Sequence, residues 1–361
     1  MKNQPKSFLI INPFGIGDVL FSLPLIKDLK ENFPSSEIFY LCNRRTQPIL
    51  KDIPLINKTF VYERDEFEVV KKASKISWIK KIWSFILEIK KENIDIAIDL
   101  SLNSQFGFFS QVAGIKKRIG YNYKKRGRIL TKKIYFEGYE KKHVIEYYLE
   151  LLNSIGVNPK YRKTEITLSK SQKNKAANFL KEKGVKSSES VITIAPCGGA
   201  SWGRDSYRKH WSKNKFAELA DRLIDKYGAR VILAGADSEK AVIEKVESLM
   251  KNRPIKVIDL PLMDFLALLE RSTILVANDG GPVHMGVFLG IKTVSIFGPV
   301  SEVVYGPYPQ DFQRHAVVKK DLPCRPCYKK FRLPKCSYQF KCLKSITVDE
   351  VFDSVKKLLE L

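Results

Sequence analysis

The densest chemistry in this 361-residue chain lies in Ala277-Asn278-Asp279-Gly280-Gly281-Pro282-Val283-His284-Met285-Gly286. Apolar runs flank it, Ile274-Leu275-Val276 before and Thr293-Val294-Ser295-Ile296-Phe297 after. A β-branched run, a small-residue turn and a helix opening at Pro282 predict strand, loop and helix in that order. Such a turn aims free backbone N–H groups and the positive end of a helix dipole at one spot, which suits a phosphate. Gly280 and Gly281 let the main chain approach a ligand, because no Cβ stands in the way. Asp279 ends the strand at its carboxyl side, where open α/β sheets bind ligands, and His284 falls on the first helical turn. The same residues also fit an ordinary βα turn with a surface histidine. The turn alone does not choose.

Two further groups invite chemistry. Near the start, the apolar run Ser7-Phe8-Leu9-Ile10-Ile11-Asn12 precedes Pro13-Phe14-Gly15-Ile16-Gly17-Asp18 and a helix with Val19, Leu20, Leu23 and Ile26 on one side. Gly15 and Gly17 have the look of a dinucleotide fingerprint, but its third glycine is missing. Asp18 is either an acid answering a helix dipole or a carboxylate placed to take a proton from a substrate hydroxyl. Near the end, Cys324, Cys327, Cys336 and Cys342 give C-x2-C-x8-C-x5-C in a lysine- and proline-rich loop. That spacing suits a tetrahedral structural zinc, with four protein ligands and no position left for substrate. Four reduced thiols are the alternative. Cys42 and Cys197 read as packing residues.

The elements that must position these groups form two series. At 361 residues the chain exceeds one ordinary core, and 44% hydrophobic content is that of a globular protein. Strands are predicted at Glu37–Cys42, Lys58–Tyr62 and Ile94–Leu100, with a helix over 73–91 and another from His143 to Ile155. A second series has strands at Val191–Ala195, Arg230–Ala234, Lys256–Asp259, Ile274–Ala277 and Thr293–Phe297. Helices near Lys213–Tyr227, Ser238–Met250, Met263–Glu270 and Pro282–Leu289 alternate with them. Alternation of this kind predicts two doubly wound, Rossmann-like parallel sheets. We expect an N-terminal domain over 1–170, a linker region at 171–190 around one short helix, and a C-terminal domain over 191–361.

Net charge is +24, which suits an anionic partner: nucleic acid, a membrane surface or a phosphorylated substrate. Scattered surface lysines would give the same total. The 73–91 helix has a wide apolar face between lysine flanks, as a membrane-surface helix has, although a crossover helix on a sheet needs the same stripe. A second basic tract holds Lys116, Lys117, Arg118, Lys124, Lys125, Arg126, Arg128, Lys132 and Lys133, with Tyr121, Tyr123 and Tyr135 interleaved. It fits base stacking or a loop gripping a phosphorylated glycan. No leader peptide and no bilayer-length apolar run are read, so a cytoplasmic protein is expected, with peripheral membrane contact.

Taken together, these motifs make the chain resemble glycosyltransferase family 9, the heptosyltransferases of lipopolysaccharide core assembly. The resemblance rests on Gly15-Ile16-Gly17-Asp18 with Leu23-Pro24, on Lys209-His210-Trp211, and on Asp279-Gly280-Gly281-Pro282-Val283-His284. Phe297-Gly298-Pro299 and Tyr305-Gly306-Pro307-Tyr308 add to it. It implies a GT-B fold, two Rossmann-like domains facing across a cleft, and inverting, metal-independent transfer from a nucleotide-diphosphate sugar such as ADP-heptose. The acceptor would be an inner-core or related anionic glycolipid, with no nucleic-acid partner and no catalytic cofactor. By that likeness Asp18 is the general base and Lys209 meets the diphosphate. Gly15, Gly17, Ser201, Glu239, Asp279, Gly280, Gly281 and His284 fall on the donor side, with Glu239 at the ribose. Arg118, Lys124, Lys125 and Arg126 fall on the acceptor side. The family usually reads Asp-Thr-Gly where this chain has Asp279-Gly280-Gly281, and the loop Ala195–Ser201 also departs from the usual pattern. The alternatives are a sugar-nucleotide epimerase of the same fold, acting without an acceptor, and a basic nucleic-acid-binding protein with a steep salt dependence.

Overall fold

The structure, a computed structural model, describes residues 5–199, 202–311 and 313–360. Two compact units divide the chain. The first runs up to Tyr139 and includes Val144–Thr164; the second holds Glu140–His143 and everything from Glu165 onward.

The first unit is built on six parallel strands: β1 (Ser7–Ile11), β2 (Glu37–Cys42), β3 (Lys58–Val61), β4 (Ile96–Asp99), β5 (Lys117–Tyr123) and β6 (Lys132–Phe136). Their spatial order is β3-β2-β1-β4-β5-β6. The second unit repeats the plan with β7 (Val191–Ala195), β8 (Arg230–Gly235), β9 (Ile255–Ile258), β10 (Ile274–Asn278), β11 (Lys292–Ile296) and β12 (His315–Val318). Here the order is β12-β11-β10-β7-β8-β9. Each sheet therefore changes winding direction between its first and fourth strands, β1 beside β4 and β7 beside β10. Ligands of open α/β sheets bind beyond the carboxyl ends of that pair.

Helices on both faces explain why β1, β7 and β10 are buried along their whole length. In the first unit Leu9, Ile11, Phe39, Phe60, Phe85 and Phe106 share one core. In the second, Ile194, Trp211, Phe216, Val276 and Ile296 pack with Val351, Val355 and Leu358 of the terminal helix Val348–Glu360.

The 73–91 helix is observed as Lys75–Lys90; a separate helix, Arg64–Ala73, precedes it, and Ser74 between them, with an extended backbone, caps the second through the Ser77 N–H. Two expectations are corrected. The basic tract is no loop: it supplies β5 and β6, joined by a turn. The helix read as part of a linker, Lys170–Glu182, opens on a Ser169/Gln172 capping box and belongs to the second unit, where Leu180 packs with Val191, Ile232 and Leu268. Among the described residues, no helix is long and apolar enough to cross a membrane.

Candidate active site

In the second unit the site is assembled where β7 and β10 end. Asn278, fully buried, closes β10; its Oδ1 accepts the Trp211 N–H at 3.0 Å and its amide donates to the Pro196 carbonyl. One side chain thus ties three segments together. Gly198 has a φ of +73°, and a Cβ on it would stand 2.8 Å from the Asp279 carbonyl oxygen. At Gly280, with a φ of +157°, a Cβ would overlap the carbonyl group of Gly198. The two loops meet main chain on main chain, which only glycine permits. In this structure position 280 has no room for the threonine that the resemblance leads one to expect there.

Lys209 ends the 3₁₀ helix Gly203–Lys209 and is almost buried. Its Nζ lies 2.9 Å from Asp279 Oδ2, an ionic approach outside hydrogen-bond angles, and 4.5 Å from the centre of the Trp202 ring. Trp202 in turn packs on Tyr328 at 4.9 Å. An ammonium carries three donors, so the Asp279 contact leaves capacity for a ligand. The helix Gly281–Phe288 opens directly after this pair.

His284 and His143 carry no charge at neutral pH. Burial pushes His284 down to about 3, and the Lys209 charge adds to the effect. Burial also pushes His143 down to about 3 against the Gly306 carbonyl, 3.1 Å from its Nε2, with His284 adding; its ring stacks on Tyr308 at 4.5 Å. The cation of this site is Lys209. Glu239 bridges two loops, Oε1 accepting the Gly199 N–H at 3.0 Å and Oε2 the Ala236 N–H at 2.9 Å. Each oxygen keeps a lone pair for a further donor such as a ribose hydroxyl. Ser201 lies outside the described residues.

In the first unit Asp18 sits half-buried on the first turn of the helix Ile16–Asn32. Asn12, buried at the end of β1, donates to the Asp18 carbonyl at 2.9 Å, and Asn43 donates to the Pro13 carbonyl at 3.2 Å. The loop carrying Gly15 and Gly17 is held from both sides, and a Cβ on Gly15 would come to 3.8 Å from Asp18 Oδ2. Tyr40, Tyr139 and Tyr148 surround this acid; burial pushes their phenols up, and the Asp18 charge contributes. Asp99 ends β4 at the neighbouring position. Burial pushes its carboxyl up to about 6, although the Ser101 N–H and hydroxyl bond to it at 2.8 and 2.5 Å.

Arg118 does not project freely. Its guanidinium donates to the Ile129 carbonyl at 3.0 Å and the Ile115 carbonyl at 2.5 Å, pinning the β5–β6 connection. Lys124, Lys125 and Arg126 do lie exposed, at the carboxyl end of β5, with Lys124 and Arg126 leaning over the Tyr123 ring. The four late cysteines are free thiols, and among the described residues no three His, Cys, Asp or Glu side chains form a metal-holding group. Cys336 Sγ instead accepts the Phe340 N–H, and burial pushes the Cys342 thiol up to about 11, with the neighbouring cysteines adding.

Residues 82–337 match the profile of glycosyltransferase family 9 (heptosyltransferase). The chain belongs to that family. It is 23% identical over 350 residues to lipopolysaccharide heptosyltransferase 3 of Escherichia coli K12, covering 95% of each chain. Its fold is similar to that of a family 9 glycosyltransferase from Veillonella parvula, with a TM-score of 0.81 at 20% identity over 100% of this chain and 99% of that one. The E. coli ADP-heptose lps heptosyltransferase II gives 0.77 at 20% identity over 98% of both chains. The fold is GT-B and the protein is a glycosyltransferase, which sets aside the epimerase and nucleic-acid readings. Asn12, Asn43, Asn278, Gly198, Asp99 and Trp202 were not singled out from the sequence. The asparagines and Asp99 all sit at or just past the carboxyl ends of apolar runs, a position that could have flagged them.

Proposed function

We propose that the protein transfers a heptose from ADP-heptose to an inner-core sugar of a lipopolysaccharide-type glycolipid, with inversion and without a metal. In this reading Asp18 takes the proton from an acceptor hydroxyl as its oxygen attacks the anomeric carbon. The bond from that carbon to the diphosphate oxygen breaks, and ADP leaves with the electron pair. A leaving diphosphate needs positive charge or aligned donors in place before the charge grows. The observation that carries the proposal is the buried Lys209–Asp279 pair at 2.9 Å, which fixes one cation just ahead of a helix N-terminus. Asp279 orients that ammonium, Gly280 and Gly281 let the main chain come close, and neutral His284 serves as a hydrogen-bonding group. Glu239 would take the ribose hydroxyls, and the exposed Lys124, Lys125 and Arg126 the acceptor's anionic groups. The names of the relatives, heptosyltransferases of lipopolysaccharide and one of them named for ADP-heptose, support the donor and acceptor classes. We place the enzyme on the cytoplasmic side, peripheral to the inner membrane.

A panel of nucleoside diphosphates tests the donor half. ADP should raise the melting temperature more than UDP or GDP, because a ligand that binds only the native state stabilises it by mass action. ADP-heptose should then be consumed only with acceptor present, and equally with EDTA. A preference for UDP, or activity lost to EDTA and restored by magnesium, would contradict the reading.

A further inference from the structure

Helix Lys75–Lys90 has two apolar faces, and the core of its unit uses one of them. Phe85, Ile86 and Ile89 are buried, with Trp78 and Ile82 packed against the same core. Ile76, Ile79, Trp83 and Leu87 follow one another at helical spacing and stay exposed, Ile76 to 69% and Trp83 to 54%. At 3.6 residues per turn they fall within roughly 80° of one another, with Lys90 inside the stripe and Lys80 on its border. Glu88, the one acid of the helix, lies on the far flank. Of the acids nearby, Glu66 meets Arg44 and Lys81, and Glu88 and Glu92 share Lys58. Lys80, Lys90 and Lys91 stand outside those pairs. Just before this helix, Val69 is 66% exposed and Lys71 and Lys72 close the preceding one.

We propose that this face docks on an anionic bilayer surface, with Trp83 and the isoleucines at the acyl boundary and the lysines at the phosphate headgroups. Charge complementarity decides the occupant. A two-fold contact between copies would set this lysine-bearing stripe against itself, and isologous pairing repeats every like-charge clash. A bilayer offers an apolar layer to the stripe and anionic headgroups to its rim at once. The inference deepens the proposed function, because a glycolipid acceptor lies in such a surface. It needs no sugar chemistry to be measured.

The test uses full-length protein sedimented with vesicles of phosphatidylglycerol and phosphatidylcholine, against phosphatidylcholine alone. The wild type should bind the anionic vesicles, with a blue shift of tryptophan emission that Trp83→Gln removes. The triple variant Ile79→Gln/Trp83→Gln/Leu87→Gln should lose on the order of a hundredfold in partition. The double variant Lys80→Glu/Lys90→Glu should lose at least roughly fivefold per site, an effect that salt screens. Melting temperatures should hold, since the replaced side chains are exposed. Wild-type protein indifferent to anionic vesicles, or a triple variant that binds as the wild type does, would overturn the proposal. So would a self-association that the triple variant abolishes without any change at vesicles, which would assign the face to a second copy. Normal vesicle binding with no ADP-heptose transfer would remove the proposed function and leave this face standing.

Discussion

Acidification should destabilise the second unit through two of its buried histidines, His284 and His143, with His210 adding in the same direction. His284 and His143 are each held near 3 by burial, whereas an unfolded histidine titrates near 6.5. Below 6.5 the unfolded chain takes up protons that the native state refuses, so stability is full at neutral pH and falls as pH drops. Between pH 7 and pH 5.5 each histidine contributes a loss on the order of 1 kcal/mol, and the pair roughly 2–3 kcal/mol. Both rings remain neutral in the native state throughout that window, so their contributions add. Asp99 opposes them: its raised carboxyl binds a proton in the native state first, a gain under about 1 kcal/mol, and it belongs to the other unit. The assay is urea unfolding at the two pH values, followed by tryptophan emission, with Trp202 and Trp211 reporting on the second unit. His284→Gln and His143→Gln should each reduce the pH slope by a comparable amount, whatever they do to stability at pH 7. A wild type equally stable at both pH values, or variants that keep the full slope, would refute the argument.

Three further outcomes follow from the same geometry. Gly280→Ala should lower stability by roughly 2–4 kcal/mol and abolish ADP binding, because a Cβ overlapping the Gly198 carbonyl forces the two loops apart; unchanged melting and binding would show that the loops do not meet. Lys209→Met should cost about 3–5 kcal/mol by stranding the Asp279 carboxylate, and adding Asp279→Asn should restore most of that while transfer stays at least about a hundredfold down; recovery of rate along with stability would make the pair purely structural. Charge reversal at Lys124, Lys125 and Arg126 should raise the acceptor KM and leave donor affinity alone, with the difference fading near 1 M salt, where the Debye length is about 3 Å; a shift in donor affinity instead would misplace the acceptor.

The sheets were legible because β1, β7 and β10 are covered on both faces and so read as unbroken apolar runs. β5 and β6 were hidden by Lys116, Lys117, Lys124, Lys125, Lys132 and Lys133, which mask the buried Ile119, Tyr121, Tyr123 and Phe136. The glycine turn at Asp279–Gly281 was legible because its residues are contiguous. The contacts that organise it were not: Trp211 and Asn278 lie 67 positions apart, and nothing local announces that Lys209 ends beside Asp279. The cysteine spacing was legible for the same reason as the glycine turn, and Cys324, Cys327 and Cys336 all act on the Cys342 thiol.

The central claim is base-assisted transfer from ADP-heptose, and Asp18→Asn tests it most directly. Asn keeps the shape of the side chain but cannot take a proton, and Asn12 and Asn43 hold the loop around it. ADP release and product formation would be followed with ADP-heptose and a lipopolysaccharide-type acceptor, and the anomeric configuration of the product read by NMR. The account predicts acceptor-dependent release by the wild type, a linkage of configuration opposite to the donor's, and a variant slower by roughly two orders of magnitude or more with unchanged ADP affinity. A retained configuration, or a variant that turns over at the wild-type rate, would contradict it.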